Sequence, residues 1–296
     1  MNKKSAVKSV QPQIAVAVLA VLPLITSARA ATLTWVGNGG NSLLSNAANW
    51  NPSQAPVGGD TLNIGNGATV EHENNLPSSS TINLTGNSSL STQANVIRLA
   101  RSTINVGSGS GLVGTFWDLN EASITFADGA IATMANWEQK GINTFTYQLG
   151  ASGFTTLTPG TFRLGGSGIP ADIHNATYVV DFAAFTGGAG SYSITLMDFA
   201  NDATGMTNAT FQGNGTTTGA NFTYLNAENI SSPSITWDDP TDTMNLSFVV
   251  AVPEPSTLAL FGTALGAVLL AWCRSSGLWS PASAGRGSRK AFSTDR

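Results

Sequence analysis

Residues able to do acid–base or metal chemistry are few in this 296-residue chain. Its two histidines, His72 and His174, lie far apart and lack the spacing of a metal-binding helix. The stretch Glu71-His72-Glu73 alternates as a strand does, which predicts two exposed carboxylates rather than a metal site. The sequence has no G-x-S-x-G nucleophile turn and no phosphate-binding P-loop. We therefore expect a protein that is not an enzyme.

Three carboxylates lie close together in the stretch Asp238-Asp239-Pro240-Thr241-Asp242. Carboxylate oxygens are the ligands of hard cations such as calcium, but Asp and Pro are equally the residues of an ordinary turn. We expect the turn and no cofactor, with a calcium site at Asp238, Asp239 and Asp242 as the alternative. The single cysteine, Cys273, excludes a disulfide within the chain and any Cys-based zinc site.

Charge is distributed unevenly along the chain, although the formal net charge is only −4. Residues 31–251 hold four basic and fifteen acidic side chains, which gives this body a net charge of −11. Such a surface repels nucleic acid and anionic lipid, so neither is expected as a partner. An extracellular neutral polysaccharide is compatible with it.

The N-terminus has the three parts of a secretory signal peptide. Three lysines precede an apolar stretch at residues 14–25, and Ala28 and Ala30 supply small residues at positions −3 and −1 of a cleavage site. Twelve apolar residues in a helix span roughly 18 Å, short of a bilayer core of about 30 Å. The sequence therefore predicts cleavage after Ala30 and passage through the secretion translocon.

The C-terminus carries a second hydrophobic segment, at residues 258–272, that predicts a transmembrane helix. Pro253-Glu254-Pro255 precedes it, and these two prolines favour an extended backbone that an enzyme can reach. Arg274 follows it as a stop-transfer charge, and the positive-inside rule keeps that end cytoplasmic.

This combination of triplet, apolar helix and basic flank resembles the PEP-CTERM protein-sorting signal of exported proteins in Gram-negative bacteria. The resemblance implies recognition by exosortase, a membrane-embedded cysteine protease or transpeptidase, near Pro253, Glu254 and Pro255. It also implies transient anchoring in the inner membrane, then delivery to the outer envelope or the extracellular matrix. Residues 275–296 extend beyond the usual end of such a signal and predict a disordered basic tail.

The body contains four repeats of a short alternating strand followed by a turn rich in Gly, Asn, Asp or Ser. The repeats begin 20, 22 and 20 residues apart, which favours an all-β fold built as a parallel β-solenoid. A β-sandwich with regular hairpins is the alternative. Alternation predicts two inward apolar columns, Leu62, Ile82, Ile104, Ile124 and Ile64, Leu84, Val106, Phe126, and one outward polar ladder, Asn63, Asn83, Asn105, Thr125.

The segments that flank the repeats extend this prediction. The stretch from Thr34 to Leu62 resembles the opening of bacterial surface proteins with autotransporter-like β-helical passenger regions. The resemblance implies that Trp35 and Trp50 cap the open end of the solenoid, with carbohydrate stacking as the alternative role. Further strands are predicted within residues 144–251, one of them at Thr207–Phe211, and they form either later coils or a β-sandwich-like cap.

The predicted organisation is a signal peptide at 1–30, solenoid repeats at 31–143 and a β-rich continuation or cap at 144–251. The sorting signal with its transmembrane helix follows at 252–274, and the disordered tail at 275–296. We expect an exported, non-catalytic protein with a structural or adhesive role. The alternative is a secreted polysaccharide lyase or hydrolase, or a carbohydrate-binding module, on a β-helix scaffold.

Overall fold

The computed structural model describes residues 30–73, 76–92, 96–164, 176–202, 206–212, 219–251, 265–272 and 275. About half of the chain, 51%, is in strands, and residues 265–272 are helical. The elements are β1 (Thr32–Trp35), a 3-10 turn (Ala47–Asn49), β2 (Trp50–Asn51), β3 (Thr61–Ile64), β4 (Thr69–His72), β5 (Thr81–Leu84), β6 (Ser89–Thr92), β7 (Val96–Ala100), β8 (Thr103–Val106), β9 (Gly111–Asn120), β10 (Ser123–Ala127), β11 (Ile131–Lys140), β12 (Thr144–Gln148), β13 (Thr161–Leu164), β14 (Thr177–Asp181), β15 (Gly190–Asp198), β16 (Asn201–Asp202), α1 (Asn208–Gln212), β17 (Asn221–Leu225), β18 (Ile230–Asp238) and β19 (Thr243–Val250).

The body is a parallel β-solenoid of about five turns, as the repeat predicts. Alternate strands stack into a nine-stranded sheet with the order β17-β14-β12-β10-β8-β5-β3-β1-β2. The strands between them stack into a second sheet with the order β16-β13-β11-β9-β6-β4, and β7 pairs with β9. Pairing between consecutive coils is parallel and in register, for example Thr81 with Thr103 and Asn83 with Asn105. The β-sandwich alternative is therefore excluded for the repeats.

Alternation along the strands fills the interior, because every second side chain points between the two sheets. The two predicted columns are confirmed: Ile104 and Ile124 are fully buried, and Val106 and Phe126 are at most 2% exposed. Aromatic side chains replace the aliphatic ones in later coils, where Phe126 stacks on Tyr147 with ring centroids 6.1 Å apart. The core thus continues from coil to coil without a break.

Two rows of outward side chains run through eight strands of the nine-stranded sheet, and we call these two rows the ladder face. Strands β10, β12, β14 and β17 each add a third outward residue beyond them: Ala127, Gln148, Asp181 and Leu225. The residues of both rows are half-buried in the central coils and exposed at the two ends. Register aligns the first row as Thr32, Thr61, Thr81, Thr103, Ser123, Thr144, Thr177, Asn221, and the second as Thr34, Asn63, Asn83, Asn105, Thr125, Thr146, Val179, Thr223.

Strands β9 and β11 are each ten residues long and turn a corner at their middle. In the first half of β9 the even-numbered Leu112 points inward, and in the second half the odd-numbered Trp117 does, so the alternation shifts by one residue at the corner. Gly114 lies at this corner with φ +138°, and a Cβ there would sit 1.9 Å from the Thr92 hydroxyl. Only glycine fits such a backbone at this close approach.

The first coil of the solenoid is closed by a short antiparallel strand and two tryptophans. At the first coil, β2 pairs antiparallel with β1, and Trp50 is 1% exposed with its indole nitrogen donating to the Leu44 carbonyl at 2.8 Å. Trp35 meets Trp50 edge to face at 5.1 Å. The Trp50 ring therefore packs as the predicted cap and is not available for carbohydrate stacking.

Beyond the repeats the coils continue, as one of the two alternatives predicts, and a separate small sheet is added to them. Strands β12, β14 and β17 continue the nine-stranded sheet, while β15, β19 and β18 form a separate antiparallel sheet. Its inner residues join the common core, where Phe182 packs on Phe248 and Phe162 on Trp237. The Tyr147 hydroxyl donates to the Met244 sulfur at 3.9 Å, and burial raises the pKa of this tyrosine well above its ordinary value.

The predicted strand at Thr207–Phe211 is wrong, because residues 208–212 form the helix α1. The Thr210 amide donates to the Thr207 hydroxyl at 3.2 Å, so Thr207 satisfies a free amide of the first turn. The Asn208 side chain accepts from the Trp237 amide at 3.0 Å, which ties the helix to β18. Local capping by Thr207 and the long-range bond from Trp237 together override the β propensity of this stretch.

Candidate functional site

The sorting residues are only partly within the described chain. Ala28, Pro253, Glu254, Pro255 and Arg274 lie outside the described residues, whereas Ala30 is described and exposed. The last body strand ends at Val250, and Ala251 follows as an exposed residue whose amide donates to the Asn229 carbonyl at 3.0 Å. The last strand of the body therefore ends immediately before the predicted sorting motif.

The described part of the hydrophobic segment is helical at residues 265–272 and presents large apolar side chains on its surface. Leu265 is 62% exposed, Val268 68% and Trp272 62%. Within the part of the chain that the structure describes, no helix has the length and apolar character needed to cross a bilayer.

The acidic turn uses its carboxylates to hold neighbouring loops. Asp238 accepts from the Thr241 hydroxyl at 2.9 Å, Asp239 from the Asn208 amide at 3.0 Å, and Asp242 from the Asp202 amide at 3.0 Å. Across the described residues, no three His, Cys, Asp or Glu side chains come together in a way that could hold a metal. Calcium at Asp238, Asp239 and Asp242 stays a prediction.

The Glu71-His72-Glu73 stretch lies at β4 and follows the predicted alternation. His72 points inward and is 5% exposed, Glu71 is half-buried and Glu73 is exposed. The Ser45 hydroxyl donates to the Glu73 carboxylate at 3.1 Å, which links the strand to the loop before it. This arrangement stabilises the first coils.

A network of ion pairs that was not expected from the sequence crosses the outer side of the second sheet. Asp118 accepts from the Arg98 Nε at 3.1 Å and from the Lys140 Nζ at 2.9 Å, and Lys140 also pairs with Glu138 at 2.9 Å. Burial alone would lower the pKa of Lys140. The hydrogen bonds to Asp118 and Glu138 and their negative charges outweigh this effect, so the pKa of Lys140 is raised above its ordinary value. The repeat length could have indicated this network, because Arg98, Asp118 and Glu138 follow one another at intervals of 20 residues, which is one coil.

A cavity of about 300 Å³ lies beside the point where the chain leaves the body. Phe182, Phe185, Gly187, Ile230 and Ala251 form part of its wall, and its described lining contains no ionisable side chain. It offers polar contacts from backbone groups and side-chain amides rather than an acid–base pair.

The described body is a parallel β-solenoid whose last strand ends at Val250. Comparison with family models finds the PEP-CTERM protein-sorting motif at residues 251–275. The chain therefore carries the sorting motif that the sequence predicts, and the motif implies export and recognition by exosortase. Comparisons with curated proteins and with solved structures give no match.

Proposed function

We propose that this chain is a non-catalytic structural or adhesive protein of the outer envelope or the extracellular matrix. Exosortase would process it near Pro253, Glu254 and Pro255, after a signal peptide ending at Ala30 has directed its export. The observation that carries the proposal is the PEP-CTERM motif at residues 251–275, directly after the last strand of the body.

The position of the motif supports processing. Body strand β19 is held by β15 on one side and β18 on the other, and the exposed Ala251 follows it. A protease needs an extended backbone without cross-strand hydrogen bonds, and prolines at 253 and 255 withhold two amide donors. Cleavage in this segment leaves the core of the body unchanged.

The body supports a structural or adhesive role through its repetition. On the nine-stranded sheet each coil presents the same kind of outward side chain at the same place as its neighbours, and each coil covers the core of the next one. Such a surface makes many equivalent contacts with an extended partner. We place this partner in the outer envelope or the extracellular matrix.

Mass spectrometry of the protein recovered from a host with exosortase tests the processing. We expect an N-terminus at Ala31 and a C-terminus near Pro253–Pro255, without the hydrophobic segment. Replacing Pro253 and Pro255 by alanine should abolish processing, while the matched variant Glu228→Ala, at an exposed body position, should be processed normally. Exported protein with an intact C-terminus at Arg296 would contradict the proposal.

Cell fractionation and an activity screen test the remaining parts. The processed chain should leave the inner membrane and be recovered with the outer envelope or the matrix. In a host that lacks exosortase it should stay in the inner membrane fraction. Incubation with uronate and neutral glycans, with and without calcium, should give no turnover, and clear cleavage of any of them would refute the non-catalytic role.

A further inference from the structure

The two rows of the ladder face are uncharged in a body with a net charge of −11, and the carboxylate of Asp181 lies beyond the second row, at the end of β14. Its first row holds six Thr, one Ser and one Asn, and its second row four Thr, three Asn and one Val. Fifteen of the sixteen positions can therefore both donate and accept a hydrogen bond. Threonine adds a methyl group beside each hydroxyl.

The second sheet of the same solenoid shows that this uniformity is not a general result of the fold. Its outward positions in successive coils change from Thr69 to Ser89, Gly111 and Ile131 in one aligned row. Further along β9 and β11 the outward positions carry the ion pairs of Asp118. β propensity alone would enrich threonine equally on both sheets. Only one of them keeps two uncharged rows through eight strands, polar at every position except Val179.

The spacing of the two rows follows from the backbone. Neighbouring strands lie about 4.8 Å apart, and outward positions two residues apart along a strand lie about 6.7 Å apart. Eight strands in register extend this grid for about 34 Å. The ladder face is thus a rectangular array of hydroxyl and amide groups with fixed repeats in two directions.

Hydrogen bonds within the second row fix three side chains of this array. The Asn83 amide donates to the Asn63 carbonyl oxygen at 2.8 Å, and the Asn105 amide donates to the Asn83 oxygen at 2.7 Å. Each amide keeps one further N–H and one lone pair for a ligand. A partner that binds here does not have to order these side chains first, so less conformational entropy opposes binding.

We propose that the ladder face binds the surface of ice. An ice surface is a rigid array of water molecules that all donate and accept hydrogen bonds, and its repeats are comparable to the two spacings of the ladder face. The absence of charge from the two rows suits it, because an ionised side chain would hold bulk water at the contact. The threonine methyl groups add small apolar contacts between the hydroxyls.

A single polysaccharide chain fits the ladder face less well. Sites for small polar ligands are usually concave, and aromatic rings supply much of their contact area. The two rows contain no aromatic residue and follow the stacked coils of one sheet. A partner that repeats in two dimensions can use both rows, whereas one chain would contact only one of them along the solenoid axis.

Partition into slowly growing ice tests the proposal with the chain purified as the cell exports it. We expect the protein to enter the ice, to inhibit ice recrystallisation and to lower the freezing point below the melting point. Thr103→Tyr places a large ring in the middle of the first row and should lower partition about tenfold, equivalent to about 1.4 kcal/mol of binding free energy. Thr144→Tyr makes the same change two rungs away and should have the same effect.

Thr133→Tyr is the matched control, because Thr133 is an exposed outward residue of the second sheet. It should partition into ice as the unmodified chain does. Circular dichroism and urea midpoints identify which variants are folded, and one folded ladder variant is sufficient. An unmodified chain that ice excludes overturns the proposal, as does a folded ladder variant with full activity. Binding to insoluble neutral glucan that Thr103→Tyr abolishes, without activity on ice, would replace it with a polysaccharide surface.

Discussion

The asparagine ladder has a direction, and that direction gives a prediction for two chemically identical substitutions. Asn83 both donates to Asn63 and accepts from Asn105, whereas Asn63 accepts from Asn83. Replacing an asparagine by aspartate keeps its shape and its acceptor oxygens but removes its donor. The change Asn83→Asp should therefore break a ladder bond, and the change Asn63→Asp should keep one.

The magnitude follows from the broken contact. Loss of one hydrogen bond costs about 1 kcal/mol, and two acceptor oxygens facing each other at 2.8 Å add a penalty of about 1–2 kcal/mol. Because these side chains are only half-buried, water relieves part of it, and we expect a total near 2 kcal/mol at neutral pH. With a urea slope of about 2 kcal/mol/M, the unfolding midpoint of Asn83→Asp should fall by about 1 M.

The penalty should also depend on pH. A protonated carboxyl at position 83 can donate to Asn63, so folding raises its pKa above the unfolded value of about 3.9. A group with a raised folded-state pKa contributes stability below the unfolded pKa and loses it as pH rises through the folded pKa. The cost of Asn83→Asp should thus be small below about pH 4 and reach its full size near neutrality.

Urea unfolding of the full chain followed by circular dichroism, at acid and at neutral pH, measures both effects. The unmodified chain corrects for the general pH dependence of stability, and Asn63→Asp should stay within about 0.5 kcal/mol of it. An equal or larger loss in Asn63→Asp would refute the direction of the ladder. A penalty in Asn83→Asp that does not change with pH would refute the proposed contact.

Three further predictions concern the core, the corner and the alkaline limit. Ile104→Ala should lower the free energy of unfolding by about 3 kcal/mol in urea titrations, because it leaves a cavity between two coils, whereas the exposed Ile142→Ala should change it by less than about 0.5 kcal/mol. Gly114→Ala should cost about 2 kcal/mol or more, because its Cβ meets a hydroxyl of the preceding coil at 1.9 Å, and Gly188→Ala, with open space around its Cβ, should be tolerated. The raised pKa of buried Tyr147 means that stability should be complete below the unfolded tyrosine pKa of about 10 and fall above it; an ultraviolet titration in which this tyrosine ionises before unfolding would contradict that.

The repeat predicted much of the fold because period and alternation act together. Segments that begin at Thr61, Thr81 and Thr103 can pair in register only if the same positions face the core, and Ile82 and Ile104 are fully buried as expected. The polar ladder at Asn83 and Asn105 follows from the same constraint. Local pattern was sufficient wherever each coil repeats its neighbour.

The second halves of β9 and β11, after the corner, could not be predicted from the repeat. At Phe116, Trp117 and Asp118 the alternation is lost, because the inward side changes at the corner and a buried carboxylate takes an outward position. The helix at Asn208 depends on a contact with Trp237, 29 residues away, which no local pattern contains. The sorting motif needed no such contact, since its information lies in the order of residues along the chain.

The backbone hydrogen bonds of both parallel sheets run along the solenoid axis, from each coil to the next. A pulling force between the first coil and the C-terminal segment therefore loads the bonds of one coil boundary at a time, as in opening a zipper. Each coil of about 20 residues that separates would release up to about 70 Å of extended chain. A chain attached to its surroundings at both ends would lengthen in steps under load and dissipate energy at each one.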